Sequence, residues 1–180
     1  MKVVQIGVEG WGKNHSRVLS EFGVLSAVCD TSSQRAKEFG KKYSVNFYKS
    51  FESLLEHEEF DAALVCTPTF THSDITKRLI ENKKHVFVEK PMTYLSEDGQ
   101  NLIDAAKRNN VILTCGYIER FNPAVASVKD FLKSQKYGDL IRLEFYREHR
   151  MPQHIKDVGV IYDTSVHAVS YTHLTLPTKA

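Results

Sequence analysis

The sequence is short of the features that mark several functional classes. Its three cysteines are odd in number and widely spaced, with no C-x-x-C pair, so they outline neither a disulfide framework nor a zinc site. Cys29, Cys66 and Cys115 are expected as small buried apolar residues, and no metal site is expected. An excess of one charge sign is also missing. The formal net charge is +2, and no run of lysines or arginines is interleaved with aromatics, which argues against a nucleic-acid surface. No apolar run reaches the roughly 20 residues that cross a bilayer, and the first residues read as a strand rather than a signal peptide. A cytoplasmic protein without a membrane partner is therefore expected. Internal repeats and low-complexity segments are absent too. What is left, 42% hydrophobic and 26% charged residues over 180 positions, suits one globular domain and part of a second.

The most informative stretch lies at the start. The apolar run Val3-Val4-Gln5-Ile6 leads into Gly7-Val8-Glu9-Gly10-Trp11-Gly12, and a helical pattern with Val18, Leu19 and Phe22 follows. Strand, glycine turn and helix in that order suit a pyrophosphate, because the turn is tight and the helix start offers unpaired N–H groups at a positive dipole end. Asp30 closes the next apolar run about 20 residues on, where a ribose would be held. Gly7, Gly10, Trp11, Gly12 and Asp30 are thus candidate dinucleotide contacts. A carboxylate at Asp30 favours NAD over NADP, since it accepts from ribose hydroxyls and repels a 2′-phosphate; Arg35, a turn into the following helix, could soften that preference. The glycine spacing is irregular. Glu9 holds the second position of G-x-G-x-x-G, and Gly10 comes one place late. Either the loop re-registers onto Gly10, or the Cβ and charge of Glu9 weaken cofactor binding.

Beyond Asp30, strand and helix patterns alternate. Thr31 or Ser32 caps a helix to about Lys42, a strand covers Val45–Tyr48, and Ser50 caps a short helix. Phe60–Cys66 is a nearly continuous apolar run, as in a strand buried on both faces, and ends in Thr67-Pro68-Thr69. A helix opening at Thr71-His72, a strand at His85–Val88, a helix from Ser96 to about Asn109 and a strand at Val111–Cys115 follow. This alternation predicts an α/β fold, a doubly wound parallel sheet of Rossmann type over residues 1–118. After Gly116 the character changes: Pro123 sits in the first turn of a helix, and Asp139–Glu148 alternates with period two, as a strand with one solvated face does. Residues 119–169 read as the beginning of an α+β substrate domain. Residues 170–180 lack helical periodicity, place Pro177 where a helix should run, and are read as a non-native tail on a truncated fragment.

Four segments then stand out: Gly7–His15, Thr67-Pro68 with His72, Glu89-Lys90-Pro91, and Asp163-Thr164-Ser165-Val166-His167. Together they resemble the Gfo/Idh/MocA family of nicotinamide-dependent oxidoreductases. The resemblance runs over about residues 1–169, and its specific elements are the Glu-Lys-Pro triplet and the Asp-x-x-x-His. It implies a hydride transfer between NAD and a hydroxyl carbon, with Lys90 and His167 contacting the oxidised hydroxyl and Asp163 positioning substrate. It also implies a cis Lys90–Pro91 bond, an approach of Glu89 to the nicotinamide ribose, and a cofactor-packing loop at Thr67, Pro68 and His72. On the residues alone, a lysine ending a central strand can polarise a substrate oxygen or complete a solvated loop. Asp163 and His167, four apart, share a helical face, and imidazole suits the accompanying proton transfer.

Tyr117, Arg120 and Asn122 resemble positions in the branch that oxidises nucleotide-linked sugars, such as UDP-N-acetylglucosamine 3-dehydrogenases; each is equally readable as a loop-ordering or surface residue. A sugar or nucleotide-sugar substrate and a homo-oligomeric full-length protein are what the resemblance implies. A non-catalytic NAD-sensing regulator of the same fold is the alternative.

Overall fold

The computed structural model describes residues 1–139, 141, 142, 144, 165–167, 169 and 170. The chain divides into a unit of Met1–Gly116 and a second unit that begins at Tyr117.

The first unit alternates strand and helix throughout: β1 (Val3–Ile6), α1 (Gly12–Glu21), β2 (Leu25–Cys29), α2 (Ser33–Tyr43), β3 (Asn46–Tyr48), α3 (Phe51–His57), β4 (Ala62–Val65), α4 (Thr69–Glu81), β5 (His85–Val88), α5 (Ser96–Asn109) and β6 (Leu113–Cys115). All neighbouring strands are parallel, in the order β3-β2-β1-β4-β5-β6. The expected doubly wound sheet is the one observed. Its register sets Ile6 beside Cys29 and Val65, and Val65 beside Val88, so the central strands end level with one another. Parallel strands covered by helices on both faces need apolar residues at successive positions. All four residues of β1 are buried, Gln5 among them, and Val4, Ala63, Val65 and Val88 are fully enclosed. Leu79 and Ile80 of α4 and Leu102, Ala105 and Ala106 of α5 pack onto them. A smaller cluster of Val8, Leu25 and Val28 collects Leu19, Phe39 and Tyr43.

Local chemistry sets the helix ends. Ser32 and Ser50 accept from the N–H groups of Arg35 and Ser53, the N-cap role expected of them. Ser44 and Asn110 close α2 and α5 in the left-handed conformation, with lysine or arginine in each last turn against the helix dipole. α4 begins at Thr69, two residues before the expected start, because the chain turns into the helix directly behind Pro68. No helix of the described residues is long and apolar enough to cross a membrane.

In the second unit, a single 3-10 turn (Ile118–Phe121) leads to α6 (Pro123–Lys133), with Pro123 at its start as expected. Phe131 stacks on Tyr137 with ring centroids 5.1 Å apart. The strand expected over Asp139–Glu148 is not seen where that stretch is described: Asp139, Ile141, Arg142 and Glu144 belong to no strand, and the other residues lie outside the described set. Alternating polarity marks a stretch with one apolar face, whereas pairing with a neighbour makes a strand, and the pattern does not name that neighbour. Val166, His167, Val169 and Ser170 are helical, so helix reaches the first residue of the expected tail.

Candidate functional site

The strand order reverses between β1 and β4, and open α/β sheets bind ligands outside the carboxyl ends of their strands at such a switch point. The sequence-selected residues of the first unit gather on that edge: Gly7 to Gly12 after β1, Asp30 after β2, Thr67 and Pro68 after β4, and Glu89 to Pro91 after β5.

The loop after β1 is tightly built. Buried Gln5 donates from Nε2 to the Gly7 carbonyl at 2.9 Å, and a Cβ placed on Gly12 would lie 2.1 Å from that carbonyl oxygen. Only glycine permits the start of α1 to approach the end of β1 so closely. No side chain caps α1, and its first turn holds no acidic residue. An uncapped helix start presents N–H groups and a positive dipole end, which is the donor set a pyrophosphate requires. Trp11 stands exposed at this end, with exposed Lys13 just inside the helix.

Asp30 is buried, and both of its oxygens are engaged. Oδ2 accepts from the Val8 N–H at 3.1 Å, and Oδ1 accepts from the Ser32 N–H at 2.8 Å and from Arg35 Nε and Nη2 at 3.2 and 3.1 Å. Hydrogen bonding to Asp30 raises the Arg35 pKa above its ordinary value, and the Asp30 and Glu9 charges add to the rise. Glu9, irregular in the glycine pattern, sends its carboxylate to Arg35, with Oε2 3.1 Å from Nη1. Gly10 takes the left-handed conformation at φ +54°, with nothing near the place a Cβ would occupy. Of the two readings of this loop, the geometry favours the one in which Gly10 makes the turn and Glu9 points to the Asp30 side.

The ends of β4 and β5 form a second cluster. His72 is almost wholly buried, with Nδ1 2.8 Å from the Pro91 carbonyl oxygen and Nε2 2.8 Å from that of Thr67. Its ring joins the loop after β4 to the loop after β5. Thr71 Oγ1 donates to Pro68 O or Thr67 Oγ1, each at 2.7 Å, and tightens the first of these loops. The Lys90–Pro91 bond is cis. Lys90 is partly buried, and its N–H donates to Glu89 Oε2 at 3.1 Å. The other oxygen of Glu89 meets His15 Nε2 at 2.7 Å, and the His15 ring stands edge-on to Phe87, centroids 5.3 Å apart.

His15 is the residue that sequence reasoning missed. Its only signal was its place three residues into α1, on the side that helix turns to the sheet. With Cys66 it adds two ligand-type side chains next to Glu89, the three donor atoms lying within 4.8 Å of one another. In this arrangement the imidazole and carboxylate are already hydrogen-bonded together. Burial and the Glu89 charge push the Cys66 thiol up to about 12, so it holds its proton. The cluster reads as a hydrogen-bonded imidazole and carboxylate beside a protonated thiol.

The remaining expected residues belong to the second unit. Asn122 caps α6, its Oδ1 accepting from the Ala124 N–H at 3.0 Å, while its Nδ2 donates to Glu119 Oε2 at 3.0 Å. The loop-ordering reading of this residue is the one the geometry supports. Arg120 Nη1 donates to Ser170 Oγ at 3.2 Å, Tyr117 precedes the 3-10 turn, and His167 is buried in its helical segment. Asp163 lies outside the described residues.

Several known proteins resemble this chain. The family model described as "Oxidoreductase family, NAD-binding Rossmann fold" matches residues 1–117. UDP-N-acetylglucosamine 3-dehydrogenase of Acidithiobacillus ferrooxidans is 29% identical over 97% of this chain and 54% of its own. The scyllo-inositol 2-dehydrogenase (NAD(+)) of Bacillus subtilis is 35% identical over 74% of this chain and 40% of its own. Among solved structures, an NAD-binding protein from Listeria innocua superposes with a TM-score of 0.82 at 26% identity, covering 97% of this chain and 54% of that one. The chain spans about half the length of the curated relatives it matches. A family match over residues 1–117, a sheet of the required order and a glycine loop, acidic strand end and Glu-Lys-Pro turn on one edge of it lead to one conclusion: the chain belongs to the Gfo/Idh/MocA family of oxidoreductases, with an NAD-binding Rossmann fold.

Proposed function

We propose that this chain carries the coenzyme-binding half, and the first part of the substrate-binding half, of an NAD-dependent dehydrogenase that oxidises a hydroxyl carbon of a sugar or nucleotide sugar. The observation that carries the reading is the placing of Lys90, which stands behind Glu89 on the same sheet edge as the glycine loop and Asp30. The names of the relatives, dehydrogenases of UDP-N-acetylglucosamine and of scyllo-inositol, support a polyhydroxylated substrate.

The bound dinucleotide would supply the hydride acceptor. The open start of α1 would hold its pyrophosphate, Asp30 its adenosine ribose, and Glu89 its nicotinamide ribose, with Trp11, Thr67, Pro68 and Pro91 lining the way. His72 would act through the two carbonyls it spans. As the C–H hydride leaves, the hydroxyl proton must leave too and a carbonyl forms. Lys90 would polarise that oxygen, and His167, with Asp163 four residues before it in the sequence, would take the proton. Tyr117 and Arg120 would contact substrate, while Asn122 keeps the helix they precede in place.

NADH titration of the chain, followed by nicotinamide fluorescence, tests the coenzyme site. Tested at the length of those relatives, with inositols, hexoses and UDP-linked sugars as substrates, Lys90→Ala should lower turnover by about a hundredfold or more. Its NADH affinity should stay within about twofold of wild type, less than 0.5 kcal/mol. Near-normal turnover removes Lys90 from the chemistry. NADH binding with no turnover of any of these sugars would favour the regulatory reading.

A further inference from the structure

Three charged groups, Glu9, Arg35 and Asp30, form a chain at the edge where the adenosine ribose would lie, and their order carries an inference about coenzyme choice. Asp30 is anchored from behind by the Val8 and Ser32 N–H groups, so it is a fixed acceptor. Arg35 lies against it with two nitrogens and offers its third, Nη1, to Glu9 at 3.1 Å. The Arg35 side chain is 40% exposed and that of Glu9 68%, so this end of the chain is open to a ligand. A guanidinium at the mouth of an adenosine pocket is ordinarily a receptor for a 2′-phosphate, because its planar fork binds phosphate oxygens in pairs. Here the nitrogen turned away from Asp30 is held by a second carboxylate. The three groups together carry one net negative charge, which would face a group at the ribose 2′ position of a dinucleotide bound beside Asp30.

We propose that Glu9 is a coenzyme-specificity residue: by pairing with Arg35 it withholds the guanidinium from a 2′-phosphate, and so favours a dinucleotide with a free 2′-hydroxyl. This rests on the dinucleotide reading above. Asp30 alone, with Arg35 unpaired on its outer side, would be ambivalent, since the carboxylate repels a phosphate that the arginine attracts. Glu9 resolves the conflict. It also gives the irregular glycine loop a role, because a glycine at position 9 would leave Arg35 without its outer partner. An exposed pair of this kind is screened by water and salt, so the effect is moderate.

The test is titration of NADH and NADPH into the chain by fluorescence at low and high salt, for wild type, Glu9→Gln, and Glu9→Gln combined with Arg35→Gln. Wild type should prefer NADH. Glu9→Gln should move the NADPH-to-NADH affinity ratio about fivefold towards NADPH at low salt, equivalent to about 1 kcal/mol, and less at high salt. The double variant should lose that gain, because the gain runs through Arg35. An unchanged ratio in Glu9→Gln with NADH still bound overturns the role of Glu9 and leaves the dinucleotide site standing. So does an equal gain in the double variant, which would mean that Glu9 acts by its own field, and so does a wild type that prefers NADPH. A chain that binds neither dinucleotide sinks the site and this proposal together.

Discussion

At the scale of single residues, two histidines tie the loops and elements of the site together. His72 joins two loops through the carbonyls of Thr67 and Pro91, both contacts at 2.8 Å, from a buried position where water cannot replace it. His72→Ala opens a cavity between the two carbonyls and takes the N–H donor from at least one of them, at about 1–3 kcal/mol for each group left unmet. The expected outcome is a loss on the order of 2–4 kcal/mol in urea denaturation of the chain, with weaker NADH binding as the loops part. A loss below about 0.5 kcal/mol would mean that the ring is a bystander. His15 has a comparable place. Its contact with Glu89 joins α1, which would hold the pyrophosphate, to the residue in front of Lys90. Neither histidine has to touch a ligand to matter.

At the scale of elements, β1, its glycine loop and α1 act as one piece. The Gln5 amide holds the Gly7 carbonyl from below while Gly12 packs against it from the side, so strand end and helix start share one contact. Gly12→Ala puts a methyl 2.1 Å from that carbonyl oxygen, and backbone must move to admit it. The expected cost is about 1–3 kcal/mol of stability, as for an overpacked site. NADH affinity should fall at least about tenfold, because the N–H groups of α1 are re-aimed. Thermal melting and NADH titration of the variant check both; unchanged NADH affinity would place the dinucleotide elsewhere. In the second unit, α6 is capped by Asn122 and begins with Pro123, so its start is set locally.

At the scale of the whole molecule, the buried thiol of Cys29 and the partly buried thiol of Cys66 make stability depend on alkaline pH. Burial pushes Cys29 and Cys66 from 9.0 up to about 12, with Asp30 adding to the first and Glu89 to the second. In the unfolded chain these thiols ionise near 9, so above that pH the unfolded state sheds protons that the folded state keeps. Stability from these groups is complete below pH 9 and falls as pH rises towards 12, with a limiting slope of about 1.4 kcal/mol per pH unit for each thiol. Denaturation midpoints should therefore be flat with respect to these thiols below pH 9 and drop above it, and the drop should be shallower in Cys66→Ala. A Cys66→Ala profile parallel to wild type between pH 9 and 12 would contradict the assignment for that thiol.

The sequence by itself determined the sheet and the positions around its edge. Apolar runs of strand length alternating with helical patterns leave a parallel, doubly wound sheet as the way to bury every apolar face, and the observed order has its switch point between β1 and β4. Ser32, Ser50 and Pro123 were legible for the same reason, since a cap acts on N–H groups two or three residues away. Tertiary structure alone decided which side chains meet. The His15–Glu89 contact spans 74 positions and depends on α1, packed on β1 and β2, sending His15 across to the end of β5, which no local period encodes. The direction of Glu9 was open in the sequence because a carboxylate in a glycine loop can face phosphate or solvent. It goes to Arg35 because β2 delivers α2, and with it Arg35, beside the end of β1. Asn122 reads equally from sequence as a substrate contact or an ordering residue, and the fold adds its amide capping α6 and holding Glu119. Periodicity and caps report on the nearest few residues, whereas a site is built from groups that only the packing of distant segments brings within 3 Å or so of each other.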